Sequence, residues 1–406
     1  MRRPAWLAES PLANRNYSLF LGGAFVSSLG SWMQMVALGW TVLQLGNSTF
    51  LLGLLGFAQT APVLVLGLPA GTLADHADRR RVLLITQGAA TVLAALMAVL
   101  QASGHATVAA LLLIAGGNGV VNALNGPTWQ AFIKELVGPE QLRRAIAINS
   151  ARFNLTRILG PAVGGWVLVA YGAAACFAFN AVSFVAVIVA IAAIRTGRKP
   201  ARATAGRGLE SYLAVARNPR IRAVLLPAIG LAVLALPYAN FLPAMARDVY
   251  RAGAGGLSLL LTATGVGAIC GAFISGLHAV GRQPGRALAL LQIAAGVALA
   301  AFAWSPGLYV GMVCIALFGA ALIGYMATAG ATIQLAAVPG TEGRALGLWM
   351  IVNSGLVPLG SLGVGALTEV LGVPTALGLA GLGCALCGLA AAYVVRRAVQ
   401  VRKATA

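Results

Sequence analysis

The side chains able to do chemistry in this chain are few and unevenly placed. Between Asp75 and Arg81, in "GTLADHADRRRVLL" (71–84), two acids, a histidine and three consecutive arginines crowd together, although only 9% of the chain is Asp, Glu, Lys or Arg. Asp75 precedes Arg79 by four positions, which suits an ion pair across one helical turn or one tight loop. A second group, Asn149, Arg152, Asn154, Thr156 and Arg157, lies within an apolar run. A permanently charged guanidinium there needs an anion, backbone carbonyls or water. The nine acids are Glu9, Asp75, Asp78, Glu135, Glu140, Glu210, Asp248, Glu342 and Glu369, all in loops or at the edges of apolar runs. Arg157 is therefore held by carbonyls and water, or by an anionic substrate.

Other chemistries find little support. Cys384 and Cys387 have the spacing of a redox or metal pair, but their helix offers no His or acid, so Cys176, Cys270, Cys314, Cys384 and Cys387 read as small buried hydrophobes. No metal and no cofactor are expected. A phosphate-cradling GxxxxGK(S/T) loop and a nucleophile elbow are both missing from the sequence, which argues against ATP-driven transport or covalent catalysis in this chain. No enzyme activity is expected.

The elements that must position these residues follow from composition. The chain has 406 residues, 59% hydrophobic, and a mean hydropathy of +0.87, whereas soluble domains are about 25% charged. It reads as an all-α membrane protein, with 51 glycines allowing close helix packing. At about 20 apolar residues per crossing, twelve transmembrane helices are expected at 17–45, 50–73, 82–102, 107–133, 145–171, 174–194, 221–245, 256–280, 287–304, 308–336, 344–371 and 374–395. The first of these is too long, and lacks the cleavage site, for a signal peptide.

The net charge of +19 is carried by short segments between spans, so it marks topology rather than a nucleic-acid partner. Of 28 Lys and Arg residues, 24 fall on one side of the alternating pattern; Arg247 and Arg251 fall on the other, and Arg152 and Arg157 lie inside the fifth span. Positive loops stay inside. Both termini are expected in the cytoplasm, in a multi-pass protein of the inner membrane.

A basic linker at 195–220 is expected between two six-helix halves, 1–194 and 221–406; within it "LESYLAVARN" (209–218) has the pattern of a short surface helix that could touch anionic lipid. The halves repeat. "GPEQLRRAIAINSARFNLTRILGPAVGGWVLVAYG" from Gly138 aligns with "VPGTEGRALGLWMIVNSGLVPLGSLGVGALTEVLG" from Val338, pairing Gly160, Gly165 and Gly172 with Gly360, Gly365 and Gly372. Two parallel six-helix repeats imply a site near mid-bilayer and alternating access by rocking.

Polar residues inside spans are the substrate-binding candidates. Asn118, Asn122, Asn125 and Trp129 share one stripe of the fourth span. Gln34 shares another with Ser27 and Ser31 in the first. Arg152, Asn154 and Arg157 are the candidates in the fifth span, and Tyr238, Asn240, Tyr325 and Asn353 those of the second half. The competing role for each is an interhelical hydrogen bond that serves structure alone.

Over essentially its whole length the chain resembles the major facilitator superfamily, and most of all its branch of siderophore exporters and macrolide-efflux proteins. Gly71, Asp75, Arg79 and Arg80 match the signature between that family's second and third helices, with His76 and Asp78 at two variant positions. The resemblance implies a conformational latch made by Gly71, Asp75, Asp78, Arg79 and Arg80, reaching the start of the eleventh span near Arg344. "RILGPAVGG" (157–165) resembles the fifth-helix motif of the exporting branches, carried here by Gly160, Pro161, Gly164 and Gly165. The same resemblance implies a secondary active transporter, acting as a monomer, that exports a small amphipathic molecule such as a siderophore, drug or metabolite. Proton antiport is also implied, although the membrane-embedded acid that would carry the proton is missing. An importer or lipid flippase on the same fold, and a non-transporting membrane sensor, are the alternatives.

Overall fold

The computed structural model describes residues 10–194, 215–277, 284–338 and 341–404, with the backbone alone at 68, 71, 72, 74–76, 342, 343 and 395–404. A single turn, Pro11–Ala13, leads into α1 (Arg15–Gly46), α2 (Thr49–His76), α3 (Arg79–Ala102) and α4 (Val108–Leu136). A continuous helical run then covers Pro139–Ala193, too long for one crossing at about 1.5 Å per residue. Gly172 breaks it, with φ 81° and ψ 175°, into α5 (139–171) and α6 (173–193). The second half holds α7 (Pro219–Val249), α8 (Gly253–Leu277), α9 (Pro284–Ala303), α10 (Leu308–Ala336), α11 (Arg344–Leu371) and α12 (Val373–Ala404). Among the described residues eleven helices are long and apolar enough to cross a membrane; separating α5 from α6 at Gly172 makes twelve.

Local chemistry explains five helix starts. The Asp78 carboxylate accepts from the Arg81 amide at 3.2 Å and the Thr107 hydroxyl from Ala110 at 3.2 Å, capping α3 and α4. Pro139 and Pro219 occupy the first turns of α5 and α7, where a missing N–H costs nothing. Asn14 caps α1 through Oδ1, which accepts from the Asn16 amide at 2.9 Å, while its Nδ2 donates to the Leu136 carbonyl closing α4, at 2.8 Å. Asn218 repeats both bonds in the second half: Oδ1 accepts from Arg220 at 3.0 Å, and Nδ2 donates to the Ala336 carbonyl closing α10 at 3.0 Å.

The internal repeat reaches the backbone. Gly372 separates α11 from α12 with φ 79° and ψ 158°, the counterpart of Gly172. This region of conformational space is open almost solely to glycine. The helix α7 is less regular: five-residue π-helical stretches at Leu231–Ala235 and Met245–Val249 interrupt it, with Pro227, Pro237 and Pro243 nearby. Gln292 of α9 donates to the Pro227 carbonyl at 2.9 Å, an extra partner for backbone beside that disturbance.

The chain clusters into two compact units, one of Met1–Leu45 with Ala61–Ala205, the other of Gly46–Thr60 with Gly206–Ala406. The assignment changes within α2 between Thr60 and Ala61, next to Pro62, which has no N–H for the helical ladder. In the first unit α3 packs along α6 through Ala90, Ala94, Ala181 and Phe184. At its Arg79 end a buried cluster of Tyr17, Phe20, Leu83, Phe132, Ala145 and Ile191 joins five helices, and the Tyr17 hydroxyl donates to the Ala145 carbonyl at 2.7 Å. In the second unit α9 packs along α12 and α8 along α10. Gly267 and Gly271 lie so close to the Ala316 and Ala320 carbonyls that any Cβ would collide with them. Most of the expected linker, including 209–214 of the surface-helix segment, lies outside the described residues.

Candidate substrate-binding and latch residues

The fifth-span residues are set by close approach of α5 to α1. A Cβ on Gly160 would collide with Cβ of Trp32, and one on Gly164 would stand 2.8 Å from Cα of Met33. Pro161 and Gly165 are buried in the same helix. The two arginines of α5 differ in their surroundings. Arg152 is consumed by structure: it donates to the Ala24 carbonyl at 2.7 Å and the Ser28 hydroxyl at 2.5 Å of α1, and to Asn149 at 3.2 Å. Arg157 is half-buried and, among the described residues, makes no hydrogen bond or ion pair. Asn154 donates to the Ser150 carbonyl of its own helix at 3.0 Å.

The fourth-span stripe divides. Asn125 accepts from Thr86 of α3 at 3.4 Å, and Trp129 packs on Phe20 with ring centroids 4.3 Å apart. Asn122 is exposed, while Nδ2 of Asn118 is buried without a hydrogen-bond partner. Gln34 is buried in α1 and accepts from Asn180 of α6 at 2.8 Å. Asn180, which sequence inspection did not single out, is wholly buried and also accepts from Ser183 at 3.0 Å. Its signal in the sequence was that of any lone polar residue in a span.

In the second unit Asn240 donates to Ser361 of α11 at 3.0 Å, and Gly56 of α2 packs against both side chains. Tyr238 is buried against Phe318 with ring centroids 4.6 Å apart. Tyr325 is wholly buried beside Trp349, at 6.4 Å between ring centroids, and its hydroxyl has no partner. Asn353 is half-buried in α11.

Among the candidate latch residues, Arg79 pairs with Glu135 of α4 at 3.4 Å, and both side chains are largely shielded. Arg80 donates to the Ile191 carbonyl at 3.1 Å and the Ala192 carbonyl at 2.6 Å, placing its charge at the negative end of the α6 dipole. Asp78, besides capping α3, pairs with Arg81 at 3.4 Å in an exposed position. The Asp75 side chain lies outside those described.

A second polar junction, unforeseen from sequence, grips the α1–α2 corner. Glu369 of α11 accepts from the Ser48 hydroxyl and from the Phe50 amide, the latter at 3.1 Å. Arg247 donates to Asn47 at 3.0 Å while pairing with Asp248 at 2.6 Å. Nearby, outside the spans, burial raises the Tyr250 phenol above its ordinary range, against the lowering effect of its 2.6 Å hydrogen bond with Ser305.

A profile of the family described as transmembrane secretion effector matches residues 7–406. The chain belongs to that family. It is a transporter of the major facilitator superfamily and not an enzyme. Among curated relatives, the staphyloferrin A transporter of Staphylococcus aureus is 23% identical over 389 residues, 94% of this chain and 97% of that one. The enterobactin exporter EntS of Shigella boydii is 24% identical over 401 residues, 96% and 94% of the two chains. Solved structures share the fold: a POT family transporter in complex with 5-aminolevulinic acid superposes with TM-score 0.73 at 11% identity, covering 95% of this chain and 96% of that one. A bacterial homologue of the lysosomal transporter Spinster gives 0.69 at 17% identity, covering 95% and 97%. In this secretion-effector transporter Nδ2 of Asn118 and the Tyr325 hydroxyl are buried without a hydrogen-bond partner among the described residues, and the half-buried Arg157 makes no hydrogen bond or ion pair among them.

Proposed function

We propose that this transporter exports a small amphipathic molecule, such as a siderophore, drug or metabolite, from the cytoplasm of a bacterial cell by alternating access. The observation that carries the reading is the close packing of Gly160 and Gly164 on α1 within the motif that resembles the exporting branches, together with relatives named for siderophore export and transport. The distribution of Lys and Arg supports a multi-pass inner-membrane protein with both termini in the cytoplasm; halves of 1–194 and 221–406 and a monomeric state belong to the same proposal.

Arg157, Asn118 and Tyr325 are the leading candidates for substrate contact, because Nδ2 of Asn118, the Tyr325 hydroxyl and the Arg157 guanidinium have no hydrogen-bond partner among the described residues. Asn122 and Asn154 in the first unit and Tyr238 and Asn353 in the second are further candidates, while Gln34, Asn125, Arg152 and Asn240 contribute by fixing neighbouring helices. Gly71, Asp75, Asp78, Arg79 and Arg80 form the cytoplasmic latch, with Arg79 and Arg80 tying α3 to the ends of α4 and α6. Proton antiport is the expectation from the superfamily.

Comparing the metabolites retained by cells with and without the protein tests the direction. Export predicts that deletion raises the intracellular level of at least one compound. Depletion of that compound would instead support an importer, and unchanged pools would remove the transport reading for the metabolites sampled.

A further inference from the structure

Arg157 occupies the middle of α5, eighteen residues from Pro139 and fourteen from residue 171. At about 100° per residue it shares the helical face of Gly160, Pro161 and Gly164, the face laid against α1. Leu155, Leu159 and Trp166, all exposed, lie on the opposite side. Arg157 is half-buried, at a depth in the helix where an uncompensated charge is expensive. Arg152, five residues earlier, shows how this helix satisfies an arginine for structural ends, by two hydrogen bonds to α1. Arg157 receives no such treatment.

The acids are placed in the complementary way. Asp75, Glu135, Glu140, Asp248 and Glu369 stand within the first or last turn of α2, α4, α5, α7 and α11; Asp78 lies between α2 and α3, Glu342 precedes α11, and Glu9 and Glu210 lie outside the described residues. Two of the three histidines, His76 and His105, are likewise at a helix end and in a loop, and His278 follows α8. Among the described residues no carboxylate or imidazole sits at mid-span to pick up a proton on one side of the membrane and release it on the other.

We infer that the exported molecule is an anion whose negative group is met by Arg157, and that its own charge, moving outward down the membrane potential, drives the export. This rests on the export reading above. Arginine keeps its charge at every physiological pH, so Arg157 is a fixed countercharge that does not travel. The net charge crossing the membrane is then the substrate's. A cell interior negative by 100 mV expels each unit of negative charge with a driving force equal to about a fifty-fold concentration ratio. A protonatable acid is unnecessary for such a cycle.

The test uses whole cells lacking the gene, complemented with wild type, R157Q or R157K at matched membrane levels. Mass spectrometry identifies the compound retained without the protein. Efflux from cells loaded with that compound is then followed after valinomycin with high external potassium, which collapses the potential, or after nigericin, which collapses the pH difference. The retained compound is expected to be negatively charged at neutral pH. Its efflux should fall about ten-fold with valinomycin and change little with nigericin. R157Q should retain it as the deletion strain does, and R157K should recover part of the rate. A neutral or cationic compound, efflux stopped by nigericin alone, or wild-type export by R157Q would each overturn the inference while leaving export intact. If R157Q is not made, the ionophore comparison on wild type decides the coupling. Should no compound be retained by the deletion strain, the export reading fails first and this inference with it.

Discussion

Asn14 and Asn218 make the same pair of hydrogen bonds, one in each half: each caps the first helix of its half through Oδ1 and ties down the last carbonyl of the fourth through Nδ2. The two carbonyls, of Leu136 and Ala336, are 200 residues apart. Because the two functions use different atoms, they can be separated. Replacing either Asn by Asp keeps the cap and loses the donor; replacing it by Ala loses both. Each Ala variant should lower stability by about 1–2 kcal/mol and each Asp variant by roughly half of that, read as melting shifts of the detergent-purified protein.

Gly172 and Gly372 set the corners between α5 and α6 and between α11 and α12. No neighbouring atom lies within 4 Å of a Cβ added at either position, so any penalty comes from the backbone alone. Gly172→Ala and Gly372→Ala should each cost about 1–3 kcal/mol. Gly126→Ala, within α4 and equally open, serves as the control and should be neutral or slightly stabilising.

The α1–α5 contact should fail by crowding. Gly160→Ala forces a methyl into Trp32, and Gly164→Ala one into the Met33 backbone. Each should destabilise by about 1–3 kcal/mol, with export falling more than protein level, as measured by efflux normalised to an immunoblot.

Arg152 and Arg157 should part company under substitution. Arg152→Ala removes the bonds to Ala24 and Ser28 and should lower the amount of folded protein, whatever the substrate. Arg157→Ala should leave insertion and thermal stability near wild type while impairing anion export. Size-exclusion profiles and melting curves separate the two outcomes; equal destabilisation would assign both arginines to structure.

Glu369 is predicted to hold the start of α2. In Glu369→Ala the Phe50 amide loses its acceptor, and its hydrogen exchange should accelerate by about ten-fold, the equivalent of about 1.4 kcal/mol of lost protection. Exchange at Ala110, capped by Thr107, should not change.

Much of this structure was legible in the sequence because membrane folding leaves strong one-dimensional signals. Apolar run length marked the spans, which agree with the helices to within several residues at most ends, and the paired glycines at 172 and 372 marked the repeat. Membership of the major facilitator superfamily followed from Gly71, Asp75 and the arginines beside them. The features that stayed hidden depend on partners remote along the chain: Glu369 meets Ser48 across 321 residues, and Gln34 meets Asn180 across 146. Composition cannot say which of two polar residues in a span finds a partner: the sequence singled out Arg157, but only its surroundings show that Arg152 is bonded to α1 and Arg157 is not. The π-helical stretches of α7 were also invisible, since Pro227, Pro237 and Pro243 announce a disturbance but not its form.

Transport in everted membrane vesicles tests the central claim most directly, because everting turns export into uptake. Vesicles containing the protein, energised and offered the compound that deletion strains retain, should accumulate it, and vesicles with Arg157→Gln should not. Accumulation equal to that of vesicles without the protein would contradict export by this chain.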